Sequence, residues 1–141
     1  MNSEIAENRV QNRRVGRSIV ALIAGFAVNI VLTLGTDAWL SVMGILPALG
    51  QQPMNHAQSV LATVYRTLYS VISSYVVARL APYRPMEHAL TGAGIGMALA
   101  TIGAIATWHR GLGPHWYPLA LIVLALPTGW LGGKLRVMQM K

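Results

Sequence analysis

Four stretches of the chain are long, largely apolar and nearly free of charge: 18–46, interrupted by Asn29 and Asp37; 57–80, interrupted by Arg66; 88–108; and 116–133. Crossing about 30 Å of hydrocarbon takes about 20 helical residues, and each stretch is near or above that length. A helix with no polar face has nothing to present to water, so it belongs in lipid or inside a large core. A chain of 141 residues has room for one domain and cannot bury four such helices in a water-soluble core. The pattern predicts an all-α integral membrane protein, an antiparallel four-helix bundle with four transmembrane helices.

The segments between the runs support this. Residues 1–17 read as a basic N-terminal arm carrying Arg9, Arg13, Arg14 and Arg17, followed by a single transmembrane domain over 18–141 with a short tail. The link Ala81-Pro82-Tyr83-Arg84-Pro85 cannot continue a helix, because each proline disfavours a helical residue before it. Gly111, Gly113 and Pro114 break the chain at the opposite end, and such short links make consecutive helices antiparallel neighbours. Pro127 is expected to kink the fourth helix. The segment Pro47 to His56 is the longest loop and has no strong signature. Ala48-Leu49-Gly50 loosely suits signal cleavage, but the run before it far exceeds a signal core of roughly 7–15 residues, so the first helix is read as retained.

Composition and charge sharpen the class. The chain is 54% hydrophobic and 11% charged, against roughly 25% charged in a soluble domain. Its net charge of +7 comes from eleven Lys and Arg against four acids. Those bases cluster at the ends of apolar runs, where they set topology and touch anionic lipid heads; no nucleic-acid-binding motif accompanies them. Placing both termini in the cytoplasm puts Arg9, Arg13, Arg14, Arg17, Arg79, Arg84, Lys134, Arg136 and Lys141 inside and only Arg110 outside. Trp39, Trp108, Trp116 and Tyr117 then fall near the outer face, and Tyr83 and Trp130 near the inner one. The expected location is the inner membrane of a bacterium, inferred from size, loop economy and charge. The chain has no cysteine, which removes disulfides and thiol chemistry.

Arg66 is the most informative single residue. It lies thirteen residues from Arg79, about 20 Å along a helix, well inside hydrocarbon. An arginine there costs at least roughly 2.5–3.5 kcal/mol and needs a partner or a water-filled cavity. Ser59, Thr63, Ser70, Ser73 and Ser74 share its helix face at spacings of three and four, with Tyr69 flanking and Tyr75 pointing away. The first helix offers a matching line: Asn29, Thr33 and Asp37 at i, i+4 and i+8. Counted from Ser18, these sit at about 17, 22 and 28 Å, so Arg66 can reach Asp37. Thr101 on the third helix arrives at a similar depth. Three readings follow: an Arg66–Asp37 lock whose neighbouring hydroxyls return to their own helix carbonyls, a polar or anion-binding site between helices 1, 2 and 3, and a side chain that snorkels outward.

Gly92, Gly96, Ala100 and Ala104 form a ridge of small residues at spacing four, suited to close helix packing within the bundle or to a homodimer seam. Gly129, Gly132 and Gly133 are candidates to receive it. His56, His109 and His115 fall in outer segments and His88 at the inner edge, so no facing pair suits a haem and no carboxylates gather for a metal. Glu87 is read as a helix N-terminal charge paired with Arg84. No cofactor is expected. With no paired carboxylates, phosphate loop or nucleophile–base set in view, neither is catalysis.

Size and helix count alone would suit small multidrug transporters, but those depend on a glutamate in the middle of the first helix, and no family is assigned to this chain. Here that helix has no glutamate and Asp37 lies near its outer end, so the coupling residue of that family has no counterpart. The sequence expectation is a non-enzymatic structural or accessory membrane protein, with membrane lipids, a second copy or another membrane protein as partners. The alternative is an oligomeric transporter or channel for a small, conceivably anionic solute.

Overall fold

Each apolar stretch folds as one helix, and local chemistry sets where each begins and ends. The structure is a computed structural model describing residues 1–48 and 53–141, so part of the Ala48-Leu49-Gly50 stretch lies outside the described residues. It contains α1 (Asn2–Val42), α2 (His56–Leu80), α3 (Pro85–Thr107) and α4 (Trp116–Gln139), with one 3₁₀ turn at Trp108–Arg110. Among the described residues there is no strand. All four helices are long and apolar enough to cross a membrane.

The helix bounds depart from the apolar runs in instructive ways. The arm over 1–17 is no separate segment but the first part of α1; Ala, Glu, Gln and Arg are good helix formers and no proline interrupts them. At its other end α1 stops at Val42 rather than Leu46. Gly44 takes a left-handed φ of 74°, its N–H bonds the Ser41 carbonyl and the Ile45 N–H bonds the Leu40 carbonyl. This is a Schellman cap, which favours glycine at the left-handed position. In α2, Asn55 and Gln58 form a reciprocal capping box, and the Gln58 amide also donates to the Ile45 carbonyl at 2.8 Å. Helix α3 starts at Pro85, as proline favours the first helical position, and Arg84 and Glu87 pair at 3.1 Å. Helix α4 runs past Gly133 to Gln139, because Lys134–Gln139, which mixes polar and apolar residues, contains no breaker. Pro127 lies inside α4. The Thr128 hydroxyl donates to the Leu124 and Ala125 carbonyls, both at 2.9 Å, adding bonds to the turn where proline lacks its own donor.

Helix α2 touches all three other helices, while α1 and α4 do not meet. Small residues make the closest approaches. A Cβ placed on Gly132 would stand 2.6 Å from the Val71 carbonyl oxygen and 2.7 Å from the Tyr75 nitrogen of α2. Gly129 meets Ala93 and Gly133 meets Ala89 and Met86 on α3. This revises the expected seam. The face of α3 that receives the glycines of α4 is Ala89–Ala93, not the Gly92–Gly96–Ala100–Ala104 ridge. Between these ridges the helix turns, which carries Gly92, Gly96 and Ala100 toward a gap among the helices, while Ala104 is buried further along.

Most of the surface stays apolar. Only 11–28% of the most apolar stretch of each helix is buried, and residues such as Val31, Ile105 and Val123 lie exposed on three different helices.

Gly132→Ala forces a methyl against backbone atoms that cannot yield, and overpacking of this kind costs about 1–3 kcal/mol. Thermal unfolding in detergent should show Gly132→Ala clearly destabilised. Gly103→Ala, where a Cβ meets nothing within 4 Å, should be neutral or slightly stabilising. Equal effects at the two positions would contradict the packing described.

Candidate functional site

Helices α1 and α2 meet along a polar seam that steps through both in opposite directions. Near one end Ser73 donates to the Gly25 carbonyl at 2.7 Å. Asn29 reaches Ser70 at 3.5 Å and accepts from Thr33 at 3.2 Å. Thr36 and Tyr69 share a 2.6 Å hydrogen bond. The seam ends where Arg66 Nη2 meets Asp37 Oδ2 at 2.6 Å and the Tyr65 hydroxyl donates to Asp37 Oδ1. Gly25 permits the close approach at the Ser73 end of the seam, since a Cβ there would run into Val77 and Ser73.

Asp37 is buried, and the Arg66 side chain keeps 29% of its exposure. The carboxylate therefore faces two donors and the pair carries no net charge. Several hydroxyls return to their own helix: Ser59 to Asn55, Thr63 to Ser59 and Ser70 to Arg66. Such bonds satisfy the hydroxyls locally. The lock and its hydroxyl pattern are thus present in the structure.

A cavity of about 280 Å³ lies beside this seam. Arg66, Thr67, Ser70, Ser73 and Ser74 of α2 line it, with Asn29 and Thr33 of α1. Gly92, Gly96 and Ala100 form the α3 side, and Leu121, Leu124, Ala125 and Thr128 the α4 side. All four helices contribute, not only the first three. Thr101 is not in the lining; its hydroxyl donates to the Met97 carbonyl at 2.8 Å. The α1–α3 gap is closed near the basic end by His88, whose Nε2 lies 2.8 Å from the Ser18 hydroxyl, and by Leu22 against Gly92.

Three buried polar atoms have no hydrogen-bond partner among the described residues: Arg66 Nε, Thr67 Oγ1 and Tyr117 Oη. Arg66 and Thr67 line the cavity, and the Tyr117 ring lies 5.8 Å from the Arg66 guanidinium carbon. Leaving a buried donor without a partner costs about 1–3 kcal/mol, and two of these three atoms belong to residues that line the cavity. Tyr117 also lines a second cavity of about 180 Å³, with Met54, Trp108, Gly113 and His115 among its walls.

The sequence pattern brings together Arg66, Asp37, Asn29, Thr33, Ser70 and Ser73 as grouped by spacing. It does not single out Tyr65, Thr67, Tyr117 or Thr128. Tyr65 precedes Arg66 and lies one turn from Tyr69, a signal that was available; Tyr117 comes from a helix whose approach no spacing within α2 reveals. Among the described residues no three metal-ligating side chains come together. His56 accepts from Trp116 Nε1 at 3.0 Å and His115 packs on Trp108.

No family model matches this chain, and comparison with curated proteins and with solved structures gives no match.

Breaking a buried pair from one side typically costs about 3–5 kcal/mol. Asp37→Asn strands a guanidinium that cannot shed its proton, whereas Arg66→Gln leaves a carboxyl that can gain one and keeps Tyr65. Asp37→Asn should therefore destabilise more than Arg66→Gln in detergent unfolding. The double substitution should cost less than the sum of the two. Additive costs would show that the pair is not coupled.

Proposed function

We propose that the chain inserts in a membrane as an antiparallel four-helix bundle, with its basic end in the cytoplasm, and holds a small uncharged polar solute beside Arg66 on its way across. The observation that carries this reading is a cavity of about 280 Å³ lined by the polar residues Asn29, Thr33, Arg66, Ser70 and Ser73. Membrane insertion is supported by the exposed apolar surface on all four helices, which water would penalise at about 25 cal/mol per Å². Orientation is supported by the gathering of Arg and Lys at one end, and a bacterial inner membrane by the same pattern in so short a chain.

The charge of the solute follows from the lock. Asp37 already neutralises Arg66, so an anion would leave one uncompensated negative charge in a low-dielectric site. A neutral polar molecule can exchange hydrogen bonds with the lining hydroxyls and amide without that penalty. The volume lies just below the roughly 300–1,000 Å³ of drug-sized pockets, which favours small polyols and amides. The lining offers hydroxyls, an amide and aliphatic carbons, chemistry for binding and release, so the role is non-enzymatic. A structural or accessory role within a larger membrane assembly is the second reading, and the buried Arg66–Asp37 pair favours it.

Proteoliposomes should take up glycerol or urea faster than empty vesicles in stopped-flow light scattering. Gly96→Leu, which projects into the cavity, should remove at least about 90% of the added flux by blocking a site of this size. Gly103→Leu should retain it, and both variants should keep their unfolding temperature within a few degrees. Wild-type vesicles no faster than empty ones, flux unaffected by Gly96→Leu, or protein-dependent uptake of chloride faster than that of either neutral solute would overturn the reading.

A further inference from the structure

We infer that the junction between the basic extension of α1 and the end of α2 is a binding site for the headgroup of an anionic phospholipid. Arg9, Arg13 and Arg17 stand at i, i+4 and i+8 on one helix face, with Arg14 beside them. Like charges at that spacing repel. The segment carries only Glu4 and Glu7 as acids, and among the described residues the only ion pairs are Arg66–Asp37 and Arg84–Glu87. The ridge is a row of cations with no counter-charge from its own chain.

Arg13 and Arg17 flank a groove of about 430 Å³ whose other walls are Gly16, Val20 and Leu80. One part of the groove is cationic and the other aliphatic. Their separation suits a phospholipid: Arg13 and Arg17 are one turn apart, about 6 Å, and Val20 lies a further turn into the apolar run. Gly16 leaves the floor open, since a Cβ there would meet nothing within 4 Å. Arg17 and Leu80 lie where the apolar stretches of α1 and α2 end, the depth of a phosphate at the surface of the hydrocarbon. Guanidinium groups hold phosphate through paired N–H donors, and Val20 and Leu80 give the first acyl carbons a surface that free phosphate cannot use. A neighbouring groove holds Arg14, Tyr83 and Arg84, but Arg84 is already paired with Glu87, which leaves the Arg13–Arg17 groove as the stronger cation site.

This inference rests on membrane insertion, so the test separates the two. Flotation of the wild-type protein with phosphatidylcholine vesicles reports insertion alone. Native mass spectrometry in neutral detergent, with added short-chain phosphatidylglycerol or phosphatidylcholine, reports the headgroup site. The wild type should retain phosphatidylglycerol in preference to phosphatidylcholine. Arg13→Gln with Arg17→Gln should lose affinity by about fivefold per arginine. Arg13→Lys with Arg17→Lys should keep most of it, and Lys134→Gln with Arg136→Gln, removing equal charge elsewhere, should keep it all. Inorganic phosphate should compete no better than chloride at matched ionic strength. Equal retention of the two lipids, equal loss in both Gln pairs, no loss in the Arg13/Arg17 pair, or full displacement by phosphate would overturn the assignment.

Discussion

The pairing of Asp37 with Arg66 sets the terms on which α1 and α2 can meet. Neither charge is tolerable alone between apolar helices, and the 2.6 Å contact joins them with Tyr65 as a second donor to the carboxylate. Because the pair sits at one end of a seam that continues through Thr36–Tyr69, Asn29–Ser70 and Gly25–Ser73, it also fixes register. A slide of α1 by one residue would turn Asp37 by about 100° away from Arg66. The ion pair thus specifies an arrangement that dispersion forces among similar aliphatic side chains would leave loosely defined.

Around this seam, small residues decide how closely the other helices approach. Gly129, Gly132 and Gly133 let α4 settle against both α2 and α3, with no comparable contact between α1 and α4. The cavity follows from that asymmetry. Gly92, Gly96 and Ala100 present only small side chains to the polar side of α1 and α2, and space remains between the helices there. The arginine held by Asp37 is therefore also an arginine beside an opening. The ion pair and the cavity share one arginine, whose Nη2 meets Asp37 while its Nε has no hydrogen-bond partner among the described residues.

Much of this was legible in the sequence, and the exceptions have physical causes. The helices follow from runs too apolar to face water, and the Asp37–Arg66 pairing follows from two charges placed at reachable depths. The end of α1 was also legible, through Gly44, but an apolar run extending to Leu46 concealed it; hydropathy and helix termination are separate signals. The helicity of 1–17 was hidden by its polarity, since the same residues form helices as readily in water as at a membrane surface. The role of the α3 ridge was harder. Spacing reveals that small residues align, but not which of two adjacent faces meets α4. Tyr117 and Thr128 reach the site only through the packing of α4, which no periodicity within a single helix encodes.

The central claim is that a solvent-filled polar space exists beside Arg66 within the apolar body of the protein. Ser70→Cys tests it most directly, because Ser70 lines that space and the chain has no other cysteine. In proteoliposomes, a small water-soluble, membrane-impermeant thiol reagent should label the introduced thiol, and glycerol or urea should slow that labelling. A thiol that stays inert until the protein is denatured, while a control thiol at exposed Asn2 reacts, would contradict the account.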